Sequence, residues 1–115
     1  MDCGRIAVAQ QQMRAFVVIR GVMRELGTLG GTYSEAFAIN NAGVIVGAAH
    51  ILAEEPHAFA YHDGTMTDLG TLGGTYSVAF GVNDLGHIVG ESETSSGEVH
   101  GFVYREGVMQ DLSIP

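Results

Sequence analysis

Lysine and tryptophan do not occur in this 115-residue chain, cysteine occurs once and proline twice. Each shortage excludes something. A lone Cys3 rules out an intrachain disulfide, so cysteine count does not set the redox compartment. With no lysine and only five arginines against thirteen carboxylates, the formal charge is −8. Non-specific nucleic-acid binding, which needs clustered cations against phosphates, is therefore not expected. No stretch approaches the roughly 20 apolar residues of a membrane-spanning helix. The opening Met1-Asp2-Cys3-Gly4-Arg5 lacks the charged lead and apolar run of a signal peptide. A soluble chain is expected; if the natural product is secreted, its export signal is unconventional or lies outside this sequence.

What is present points to a packed, turn-rich protein. Hydrophobic residues make up 46% and charged residues 16%, against disorder, and the length suits one modest core. Seventeen glycines, beside so little proline, suggest many tight turns. Charge is uneven. Residues 1–24 carry Arg5, Arg14, Arg20 and Arg24 against Asp2, a surplus of +3, and the remainder sets Arg105 against twelve carboxylates, or −11. Such a split suits either a solvated acidic surface or the docking of one copy's head on another copy's tail.

The dominant feature is a repeat. Leu-Gly-Thr-Leu-Gly-Gly-Thr-Tyr-Ser stands at 26–34 and again at 69–77, a period of 43, and residues 14–56 match 57–99 at 21 of 43 positions. A third copy starts at His100 and keeps Phe102, Tyr104, Gly107, Met109, Asp111 and Leu112 in register. The chain thus divides into a leader (1–13), a first unit (14–56), a second unit (57–99) and a partial third unit (100–115).

Within a unit the signals are those of strands. Residues 57–62 alternate Phe59 and Tyr61, meet the hairpin turn Asp63-Gly64 and return through 65–69. Residues 77–82 alternate Val78, Phe80 and Val82, reach the Asx-turn signal Asn83-Asp-Leu-Gly86, and return through 87–92. No apolar stripe has the 3.6-residue helical period. The expected fold class is all-β: tandem four-stranded antiparallel units resembling β-propeller blades, completed by oligomerisation. A barrel or prism of the same hairpins is the competing architecture.

His57-Ala58-Phe59, the run from Gly64 to Ser77 and Asn83-Asp-Leu-Gly86 resemble the HAF repeat, a family described as a probable extracellular bacterial repeat. The resemblance covers residues 14–115. It implies β-rich tandem units and an extracellular setting, and no reaction or ligand. Two units depart from the name motif, with Arg14-Ala15-Phe16 in the first and His100-Gly101-Phe102 in the third. An essential role for that histidine is not supported.

Counting back one period sets Gly4 opposite Gly47 and Gly90, so residues 5–9 read as a leftover strand. A propeller needs at least four blades, which two units and two part-units do not supply. Self-association is therefore expected. The carboxy-terminal hairpin of one chain would join the amino-terminal strand of a second, and a homodimer would close a ring of about six blades.

Chemistry-bearing motifs are sparse. No Gly-x-Ser-x-Gly elbow occurs, His50, His57, His62, His87 and His100 lack metal-ligand spacing, and neither a metal site nor a cofactor is expected. No residue is singled out as catalytic. The glycine-rich segment is the best binding candidate. Gly30-Gly31 and Gly73-Gly74 can offer successive backbone N–H groups as an anion nest, with Thr32, Tyr33 and Ser34, or Thr75, Tyr76 and Ser77, adding hydroxyls and an aromatic face. A carbohydrate, a peptide or a small anion would suit it. In the plain structural reading the tyrosines pack between units, with their hydroxyls bonded to backbone. Two functions are weighed: a non-enzymatic binding or scaffolding module, and a small esterase- or glycosidase-type hydrolase with its site at a subunit interface or central channel. The first is preferred because each repeated residue already has a structural use. Specific sites are expected where units differ, as in 48–56 against 91–99.

Overall fold

The computed structural model describes residues 2–9, 12–19 and 21–112; the end of the partial third unit, 113–115, lies outside them. Eleven strands succeed one another: β1 (Asp2–Ala9), β2 (Gln12–Ile19), β3 (Val22–Gly27), β4 (Gly30–Ile39), β5 (Ile45–Ile51), β6 (Pro56–His62), β7 (Thr65–Gly70), β8 (Gly73–Val82), β9 (Ile88–Thr94), β10 (Val99–Arg105) and β11 (Val108–Asp111). The all-β expectation holds. None of the described residues forms a helix long and apolar enough to cross a membrane.

The turns form where their chemistry predicts. Asp63 and Gly64 both take positive φ (51° and 85°), as a two-residue hairpin of the right twist requires, and His62 pairs with Thr65 across it. Glu106 and Gly107 repeat this between β10 and β11 (54° and 79°). At the Asx turns, Asn40 Oδ1 accepts from the N–H of Ala42 and Val44 (3.0 and 2.9 Å), and Asn83 Oδ1 accepts from Leu85 and His87 (3.0 and 2.9 Å).

Three antiparallel meanders result. The first sheet holds β1, β2 and β3; the second runs β4-β5-β6-β7; the third runs β8-β9-β10-β11. A single parallel bridge, Met13 to Tyr33, ties β2 to β4. Each four-stranded sheet thus takes the last two strands of one sequence unit and the first two of the next. The leader strand falls in phase: Gly4 pairs with Phe16 as Gly47 pairs with Phe59 and Gly90 with Phe102. β1 is therefore the equivalent of β5 and β9, and the first sheet has the last three strands of the pattern without a counterpart of β4 or β8. The hairpin and the strand expected to complement each other between chains are each held in a sheet of their own chain, β10 against β9 and β1 against β2. The described residues close neither a barrel nor a ring, and they span 45 × 33 × 18 Å.

Glycine is required where β4 and β8 bulge over their neighbours. A Cβ on Gly47 would stand 2.0 Å from the Glu35 carbonyl oxygen, and one on Gly90 2.0 Å from that of Val78. No side chain fits there. The bulges fall between Ala36 and Ala38 and between Ala79 and Gly81, at matching points of the two units.

The core lies between sheets. Ala15, Val17 and Leu26 of the first sheet meet Ala36, Ile45, Ala49 and Phe59 of the second. Val46, Ala58 and Leu69, from the other face of the second sheet, meet Ala79, Ile88 and Phe102 of the third. The second sheet is thus apolar on both faces because both are covered, and the fully buried Phe59 and Phe102 contribute about 2–3 kcal/mol each from burial alone. Neighbouring sheets also touch at residues one period apart. The Phe37 and Phe80 rings lie 5.7 Å apart, Asn40 Nδ2 donates to the Asn83 carbonyl (3.0 Å), and Asn41 donates to both carboxylate oxygens of Asp84 (3.0 and 2.8 Å).

Candidate functional site

The glycine-rich segments open β4 and β8, each where the chain leaves one sheet and enters the next. Thr28 fastens the first: its hydroxyl donates to Gly31 O (2.9 Å) and accepts from Gly30 N (3.2 Å), and Thr71 repeats both bonds on Gly74 and Gly73 (3.0 and 3.1 Å).

The two serines join the sheets. Ser34 Oγ accepts from Ala15 N (2.7 Å) and donates to Gly27 O (2.6 Å); Ser77 Oγ accepts from Ala58 N (2.7 Å) and donates to Gly70 O (2.5 Å). Both are fully buried. Their targets sit at the bulges Ala15/Phe16 and Ala58/Phe59, where the preceding sheet turns one amide and one carbonyl out of its own pairing. A nucleophilic serine gives its proton to a base; these give theirs to backbone carbonyls.

Beside Gly31 and Gly74 a carboxylate of the chain itself is held, and its donors are the threonines, while the Gly30 and Gly73 amides are bonded to Thr28 and Thr71. Thr32 donates through its backbone N to Glu54 Oε1 (2.8 Å) and through its hydroxyl to Glu54 Oε2 (2.5 Å); Thr75 N and Oγ1 both donate to Glu93 Oε1 (2.7 Å each). These bonds hold both carboxyls below the usual carboxylate range, led by the Thr32 hydroxyl at Glu54 and by the Thr75 amide at Glu93. A Cβ on Gly31 would lie 2.4 Å from Glu54 Oε1, and one on Gly74 2.6 Å from Glu93 Cγ, so the second glycine makes room for the carboxylate. The donors are not repeat equivalents: one period before Glu93 stands His50, and one period after Glu54 stands Gly97. Glu54 reaches in from the turn between β5 and β6 at φ 63°, Glu93 from the strand β9 itself.

Tyr33 and Tyr76 also differ from the plain expectation of backbone-bonded hydroxyls. Tyr33 donates to Glu35 Oε1 (2.7 Å), and its ring lies 5.1 Å from that of His50. His50 Nδ1 is buried without a hydrogen bond, 3.7 Å from Glu54 Oε2. Burial, then the charges of Glu91 and Glu93, raise the Tyr76 phenol.

Sequence reasoning missed a pair of a basic residue and a carboxylate set across the last two strands of every sheet: Arg14 Nε to Glu25 at 3.5 Å, His57 Nδ1 to Asp68 at 3.0 Å, and His100 Nδ1 to Asp111 at 2.9 Å. The signal was present, a basic residue opening each unit and an acid eleven positions later. Arg14 thus takes the place of the motif histidine in the same pairing. Among the described residues no group of three or more His, Cys, Asp or Glu side chains could hold a metal ion.

A crevice of about 540 Å³ opens between the first and second sheets. Val17, Ile45 and Tyr61 give it an apolar lining, and Arg24, His62 and Asp63 a polar one. Its residues come from four different strands and two turns, so no short motif announces it. One period on, Arg24 becomes Thr67 and His62 becomes Arg105, which makes this lining particular to the first pair of sheets.

Comparison with family models, with curated proteins and with solved structures found no match.

Proposed function

We propose that the chain is a non-enzymatic binding or scaffolding module made of β-propeller-like blades. One observation carries this reading: the polar groups repeated between units, Ser34 and Ser77, Thr32 and Thr75, Asn40 and Asn83, are committed to bonds that hold turns and sheets together. Ligand contact then falls to residues that differ between units, above all the crevice lined by Arg24 and Tyr61, which suits a carbohydrate, a peptide or a small anion. With three sheets in a chain, two chains joined as a homodimer supply the six blades of a closed ring. The acidic balance turns nucleic acid away, and the resemblance to the HAF repeat favours an extracellular setting.

A screen for ester and glycoside hydrolysis tests the reading, with Ser77→Ala compared under conditions where circular dichroism shows it folded. No turnover is expected. Turnover abolished by that substitution in a folded chain would replace the module with a hydrolase.

A further inference from the structure

The outer faces of the first and third sheets are the two halves of a contact that this chain makes twice internally. At the second internal contact Val46, Ala58 and Leu69 are 0, 0 and 7% exposed. One period on, their counterparts on the third sheet are Val89, Gly101 and Leu112, with Val89 and Leu112 46 and 47% exposed and Gly101 also exposed. The opposing half of each internal contact is a phenylalanine and a methionine: Phe59 with Met66, then Phe102 with Met109, both phenylalanines fully buried. Their counterparts one period earlier are Phe16, only half-buried, and Met23, 53% exposed. Among the described residues, therefore, the third sheet shows the Val/Gly/Leu half and the first sheet the Phe/Met half, each without a facing sheet.

We infer that these two faces dock on each other between copies, the third sheet of one chain stacking on the first sheet of the next. This rests on the module reading above and names its partner, a second copy of the same chain. The contact joins two different patches head to tail; it closes into a ring if its rotation permits and otherwise grows. Continuity with the internal contacts is the ground for choosing this occupant. At the same register Ala15 and Leu26, and then Val46, Ala58 and Leu69, already pack against a phenylalanine and a methionine of the next sheet. Glu91, which stands where Ala48 is buried in the second sheet, lies close enough to Tyr76 for its charge to raise the phenol. The first sheet has no counterpart of β4, so this contact uses the apolar half of the internal one and lacks its Asn–Asn and serine bonds.

Two variants test it by light scattering at tens of micromolar. Val89→Glu with Leu112→Glu blocks the tail, and Met23→Glu blocks the head; all three sites are exposed, so the fold is retained and circular dichroism verifies it. The unaltered chain is expected at twice its 12.1 kDa mass or more, each blocked chain at 12.1 kDa alone, and an equimolar mixture of the two at double that mass, since one free head meets one free tail. A monomeric unaltered chain, association of the tail-blocked variant by itself, or a mixture that stays monomeric would each overturn the inference. A monomer that also shows no hydrolysis leaves the module reading standing, so the two failures are separable.

Discussion

At the residue scale, most of what the repeat preserves is a small set of hydrogen-bonding side chains placed where a β-sheet would otherwise leave backbone groups unpaired. Ser77 is the clearest case. Removing its hydroxyl strands the buried Ala58 N–H and the part-buried Gly70 carbonyl, a cost of about 1–3 kcal/mol. Ser77→Ala is expected to lower the urea midpoint by a corresponding amount without changing the denaturant slope. An unchanged midpoint would show that the two backbone groups find other partners. The threonine–carboxylate bonds act through charge. Because Glu54 and Glu93 have lowered pKa values in the folded chain, their contribution is fully present above the unfolded value of about 4.3 and is lost as pH falls through the folded values. Thermal midpoints taken from pH 6 to pH 3 should fall in that lower window, and Thr75→Val, which keeps the backbone bond to Glu93 and removes the hydroxyl one, should make that fall smaller. Identical profiles for the two chains would contradict this.

At the element scale, the strands and turns were legible because their signals are local. Asp63-Gly64 demanded a tight hairpin, Asn83-Asp-Leu-Gly86 an Asx turn, and Phe59 with Tyr61 a two-residue period. Even the leader strand could be placed, since Gly4 falls one period before Gly47. Pairing phase was not legible. Nothing in a repeated string says whether β4 and β5 pair with the hairpin before them or the hairpin after them, and only the run of hydrogen bonds from Gly30 to Gly70 settles it. The site was half legible for a similar reason. Gly30-Gly31 suggested backbone amides for an external anion, but the donors found are the Thr32 amide and hydroxyl, and the anion is the chain's own Glu54, twenty-two residues along and at a different repeat position from Glu93. Long-range closure of that kind leaves no periodic trace. Glycine marks the tightest crossings. Gly90→Ala puts a methyl group into the Val78 carbonyl, and it should unfold the third sheet or displace the β8 bulge, read as lost amide-exchange protection from β8 to β11. Full protection in that variant would show that the bulge can move aside cheaply.

At the scale of the whole molecule, the chain is a stack in which each sheet recognises only its neighbours, as in other linear repeat proteins. The two internal contacts use the same register and much the same residues, so their stabilities should be nearly interchangeable. Excising 57–99 joins 56 to 100 and leaves β5 beside β10, in the register β5 now holds with β6. The shortened chain is expected to keep its strand signal in circular dichroism while melting at a lower temperature; a chain without strand signal would show that three sheets fold only together. The serine of each unit makes this modularity concrete. It belongs by sequence to one sheet and by bonding to the sheet before it, so every whole period brings its own fastening to whatever stands upstream. Size is then an adjustable quantity in this architecture, set by how many periods a gene happens to string together, and duplication or loss of a period changes reach and surface without requiring any new solution to the problem of packing.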